Sequence, residues 1–195
     1  MKNNRSVITL TQTALLMALI VLASFLPIKI VVEITVCFLP VAIGAILLGP
    51  ATGAFLGGFW GLCSFAQCFG LFAPSPFGAA LAAINPWLTA VMCLVPRILA
   101  GAAGGCVARG MKRAPRPLAY AVSSLAVSVA NTVLFTAACL ALFGHSDYLL
   151  GLRAGKSLLA FAVAFVGING ILEAAISVVV GTAVAGGITA VTKRK

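Results

Sequence analysis

The chain is almost without acid. Glu33, Asp147 and Glu173 are its only carboxylates, and His145 is its only histidine. Acid–base catalysis, hydrolytic metal centres and nucleophilic triads are all built from such side chains, so this supply argues against an enzyme. No HExxH, GxSxG or Walker sequence occurs, which leaves the chain no nucleotide site. Cys37, Cys63, Cys68, Cys93, Cys106 and Cys139 include no CxxC spacing. They read as small buried hydrophobes, not as metal ligands or a disulfide framework. Nothing calls for a cofactor. Charge of either sign is also scarce, at 8% of residues against 62% apolar. A soluble domain is about a quarter charged, so the composition is that of an integral membrane protein. No polar segment is long enough for a second domain, and residues 1–195 are read as one all-α membrane bundle.

What the chain does have is long apolar runs, and six spans can be drawn through them. They are 7–26, 34–48, 51–71, 86–107, 118–143 and 158–190. The first follows Lys2 and Arg5 as a signal peptide would. It is too long for one and lacks a small-x-small cleavage site, so it is read as retained. Pro40 is expected to kink the second span. The basic residues behind the net charge of +10 cluster at span ends, Arg97 apart, which points to topology and away from nucleic acid. Lys2, Arg5, Arg109, Lys112, Arg113, Arg116, Lys193, Arg194 and Lys195 fall on one side, and Lys29, Arg153 and Lys156 on the other. Both termini are therefore expected in the cytoplasm, with loops 27–33, 72–85 and 144–157 outside. No inverted pair of broken spans is evident, which argues against a carrier that rocks two halves alone.

The informative residues are polar ones in apolar surroundings. Glu173 lies inside the last span, with Asn169 one turn before it and Ser177 one turn after. A charge at the bilayer centre costs about 2.5–3.5 kcal/mol on insertion scales, so it faces other helices or a cavity. Asn85, Thr89, Cys93 and Arg97 recur every four residues in the fourth span; Ser124, Ser128 and Asn131 share a face of the fifth. Arg97, Asn131, Asn169 and Glu173 thus reach similar depth on three helices. They form either an Arg97–Glu173 ion pair capped by amides or the polar floor of a binding cavity. Trp87, near the outer end of the fourth span, is an interface-belt residue or a ring stacking on a ligand. Gly53, Gly57 and Gly61 form a groove for a close helix neighbour within the bundle. Ala14 and Ala18 let another helix approach the first span, from within the bundle or from another subunit.

Several blocks together resemble one family. These are AxxxA at Ala14 and Ala18, FLPVAIGAILLGPATGAFLGGFWG from Phe38 to Gly61, VPRILAG from Val95 to Gly101, NTVLF from Asn131 to Phe135, and GINGILEA from Gly167 to Ala174. The chain resembles the substrate-binding S component of energy-coupling factor (ECF) vitamin transporters across nearly its whole length. Within them it is most similar to the pantothenate-type group, then to the folate type. The resemblance implies tight vitamin binding from outside. It also implies docking through Ala14 and Ala18 onto a transmembrane coupling protein driven by two ABC ATPases. Lys29, Arg97 or Lys156 would then meet a ligand carboxylate, Asn131 or Asn169 its hydroxyls and amide, with Asn85, Trp87 and Glu173 also lining the site. A self-sufficient carrier with Glu173 as its proton site, and an assembly subunit with no ligand, are the rival readings.

Overall fold

The computed structural model describes the backbone of residues 2–25, 28–29, 33–34, 36–153, 155 and 157–192. Eight helices are present among these residues: α1 (Lys2–Ser24), α2 (Phe38–Leu48), α3 (Pro50–Gln67), α4 (Pro76–Ile84), α5 (Pro86–Gly110), α6 (Arg116–Phe143), α7 (Asp147–Arg153) and α8 (Leu158–Thr192). The chain is helical apart from one minimal hairpin, β1 (Ile28–Lys29) against β2 (Glu33–Ile34), in which Lys29 pairs with Glu33. The expected all-helical class therefore holds. Val7–Ser24, Pro86–Gly110 and Arg116–Phe143 are long and apolar enough to cross a bilayer.

Proline sets the helix starts. α3, α4, α5 and α6 each have a proline at one of their first two positions, where its missing N–H removes no intrahelical bond and its fixed φ suits the first turn. Pro40 obeys the same rule. It lies in the first turn of α2, so the expected kink in mid-span does not arise. The real kink is in α8 at Gly167, whose φ of 0° and ψ of −125° interrupt the helix. Two expected loops contain helices. The Pro/Gly/Ala stretch after α3 folds into α4, capped by Ser75, whose hydroxyl accepts from the Gly78 amide at 3.2 Å. The segment after α6 contains α7.

α5 lies at the centre, packed on α3 and α6, and α6 packs in turn on α8. Glycine makes the α3–α5 contact possible. A methyl group at Gly53 would collide with the Gly101 carbonyl, one at Gly57 with the Arg97 carbonyl, and one at Gly61 would lie 2.8 Å from the Cys93 carbonyl. In a membrane, helices gain nothing by hiding apolar surface from lipid, so close backbone approach and dispersion supply the packing energy. Two clusters of buried side chains flank this contact. One gathers Leu16, Ile20, Phe38, Val41, Leu56 and Trp60; the other gathers Leu81, Met92, Cys139, Phe143 and Leu149.

Candidate functional site

Arg97 sits near the middle of the 25-residue α5, one residue after the intrahelical Pro96. Its side chain is only 7% exposed. The guanidinium donates from Nη1 to the Cys93 carbonyl at 2.7 Å and from Nη2 to the Ser64 hydroxyl of α3 at 2.9 Å. Its carbon lies 4.7 Å from the Trp60 ring centroid and 5.3 Å from that of Phe135. A cation between two rings gains about 0.5–2 kcal/mol from each face, more as water is excluded. These contacts fix the side chain and leave its Nε buried without a partner.

The other polar groups come from α6 and α8. Asn131 lies one turn before Phe135 on α6, and its Oδ1 is buried without a partner. The neighbouring Thr132 hydroxyl donates to Glu173 Oε2 across the α6–α8 contact, at a long 3.5 Å. Glu173 is half-buried, and among the described residues no ion pair joins it to Arg97. The first of the two sequence readings, a direct Arg97–Glu173 pair, is therefore not how the arginine is held. Below this level Ser177 donates to the Ser124 carbonyl at 2.7 Å, while the hydroxyls of Ser124, Ser128 and Thr182 are buried and unpartnered. A buried polar atom without a partner costs about 1–3 kcal/mol. Unpartnered buried atoms of this kind call for an explanation, such as a ligand or an ordered water.

The remaining candidates are placed differently. Asn85 caps α5, its Oδ1 accepting from the amides of Trp87 at 3.0 Å and Leu88 at 3.1 Å, so that oxygen is committed to the helix start. Trp87 is 82% exposed and faces away from the bundle core, as a belt residue would. Ala14 and Ala18 are both exposed on α1, on a face that also exposes Leu15, Leu19 and Leu22. The side chains of Lys29 and Asn169, and all of Lys156, lie outside the described residues. Four residues that touch this polar group were not singled out as site residues from the sequence: Trp60, Ser64, Thr132 and Phe135. A signal for one of them was there. Phe135 follows Asn131 by one helical turn, so it continues a face already marked.

A cation with a spare N–H, an amide oxygen and a carboxylate at mid-bundle can hold a small molecule that has one anionic end and several hydrogen-bond donors. Among the described residues no acid–base pair accompanies them. This is the substrate-binding class of membrane transport protein, a multi-pass protein of the cell membrane that performs no chemistry on what it carries. The ECF transporter, substrate-specific component family matches residues 9–185, and the chain belongs to that family. It is similar to the pantothenic acid transporter PanT of Lactococcus lactis subsp. cremoris, 31% identical over 196 residues, which span 87% of this chain and 92% of the relative. It is also similar to the pantothenate transporter PanT of Leuconostoc mesenteroides, 38% identical over 90 residues, or 45% of this chain and 41% of that one.

Proposed function

We propose that this chain is the high-affinity vitamin-binding subunit of an ECF importer and that its vitamin is pantothenate. The observation that carries the reading is that Arg97 Nε, a charged donor, and Asn131 Oδ1, a neutral acceptor, are both buried without a partner. Pantothenate has a carboxylate at one end, hydroxyl donors at the other and an amide between. Arg97 meets the carboxylate; Asn131 and Glu173 accept from the hydroxyls. Asn169, one turn before Glu173, adds an amide by register, and Lys29 adds charge from the hairpin. The relatives' names support the choice of vitamin. The folate-type alternative needs aromatic surfaces for a pteridine, and the two rings on Arg97 are already engaged by its guanidinium.

In this reading the bundle crosses the membrane six times, with both termini in the cytoplasm. The exposed Ala14–Ala18 face of α1 docks on a transmembrane coupling protein that two ABC ATPases drive. Native mass spectrometry of the purified protein is expected to show retained pantothenate, and calorimetry to show tight binding of pantothenate over folate. Preference for folate would overturn the choice of vitamin. Ala14→Trp with Ala18→Trp is expected to abolish ATP-driven uptake while leaving the binding isotherm unchanged; loss of both would remove the docking role. Uptake into liposomes without any ATPase would favour the self-sufficient carrier instead.

A further inference from the structure

The turn joining α5 to α6 carries Arg109, Lys112, Arg113 and Arg116, all exposed. Among the described residues none of the four has a hydrogen-bond or ion-pair partner. None of the chain's three acids lies in this turn: Glu33 is in β2, Asp147 in the first turn of α7, and Glu173 well inside α8. The turn is therefore a concentration of positive charge. It is also anchored. A methyl on Gly49, in the turn between α2 and α3, would lie 3.0 Å from Arg109 Nη2. Arg109 thus rests on that turn, while Lys112, Arg113 and Arg116 extend past it.

The flanking surface indicates what meets this charge. Just inside the turn, Cys106 on α5 and Leu118 and Leu125 on α6 are exposed, an apolar strip of the kind acyl chains cover. A basic cluster at the end of such a strip matches an anionic lipid, with tails along the helices and phosphate at the turn. Arginine suits a phosphate because its planar fork can engage two oxygens at once. The exposed alanine face is on a different part of the bundle. α1 packs on α2 and α3, whereas the basic turn is carried by α5 and α6.

We infer that the α5–α6 turn is a binding site for the phosphate headgroup of an anionic membrane lipid, held by Lys112, Arg113 and Arg116 with Arg109 as the fixed base. The full chain, solubilised with equal phosphatidylglycerol and phosphatidylcholine, is examined by native mass spectrometry for retained lipid. The expected result is a preference of at least about tenfold for phosphatidylglycerol, the scale that one or two basic residues near an anionic surface supply. Lys112→Ala, Arg113→Ala and Arg116→Ala together are expected to bring that preference close to parity. The charge-preserving set Lys112→Arg, Arg113→Lys and Arg116→Lys is expected to keep most of it. Should the alanine set fail to fold, a salt titration of the wild type reads the same property: the preference falls as ionic strength screens the turn. A wild type without preference, a preference indifferent to salt, or an alanine set that retains it overturns the inference. So does an alanine set that holds lipid normally but no longer assembles with the coupling complex, which would assign the turn to a protein partner.

Discussion

The two faces of the bundle that meet at its polar centre are built on opposite principles. Between α3 and α5 the contact is backbone on backbone. Gly53, Gly57, Gly61 and Gly101 bring carbonyls and α-carbons together with no room for a methyl group. Between α6 and α8 the contact runs through side-chain hydroxyls, an amide and a carboxylate, and several of these atoms have no partner. The first interface is saturated and has one good packing. The second holds unused hydrogen-bonding capacity. Arg97 joins the two, since its backbone is part of the tight wall and its guanidinium reaches Ser64, Trp60 and Phe135. A ligand site needs one wall that stays fixed and one whose polar groups are still available.

The contrast can be broken at four places. The largest effect is expected at Gly57→Leu. The new side chain meets the Arg97 carbonyl, which is backbone and cannot swing aside. Overpacking of this kind costs about 1–3 kcal/mol where side chains can adjust, and more against main chain. Thermal unfolding in detergent should show a large loss of stability or no folded protein. An unperturbed melting curve would mean that the α3–α5 wall can give way.

Arg97→Ala comes next. It removes a charged donor and leaves the Ser64 hydroxyl unmet, so pantothenate affinity should fall by about a hundredfold, near the upper range for a hydrogen bond to a charged group. Because no ion pair with Glu173 depends on this arginine, the variant is expected to remain folded. A variant that unfolds before binding can be measured would return Arg97 to a purely structural role.

Asn131→Ala should cost about tenfold in affinity, equivalent to about 1.4 kcal/mol, with stability unchanged or improved because its oxygen has no partner to lose. An identical titration curve would take Asn131 out of the site. The smallest change is expected from Ser128→Ala, whose hydroxyl is buried and unpartnered. Stability should stay within about 0.5 kcal/mol of wild type or rise slightly. A marked loss of affinity would extend the binding site down the α6–α8 seam.

Much of this was legible in the chain itself. The glycine spacing at Gly53, Gly57 and Gly61 announced a close neighbour inside the bundle, because only a missing side chain admits another backbone. Arg97, Asn131 and Glu173 could be recognised as inward-facing since lipid tolerates none of them. Other residues were read less well from local pattern. Asn85 continued the Thr89–Cys93–Arg97 stripe but is spent on capping α5, a role that depends on where the helix begins. Pro40 would have bent a helix that started a few residues earlier; in α2 it falls in the first turn.

The amino-acid sequence alone determined that the protein is helical, lies in a membrane and holds buried polarity on three spans. Periodicity and composition act within one helix, and those conclusions need nothing more; membership of the ECF S-component family came from the resemblance of whole motif blocks and the family match. Tertiary structure alone decided that Arg97 is clasped by Trp60, Ser64, Phe135 and its own preceding turn, not by Glu173. The rotation of each helix about its axis is set by its neighbours, so which polar atoms end up paired and which remain open to a ligand is a property of the packed bundle.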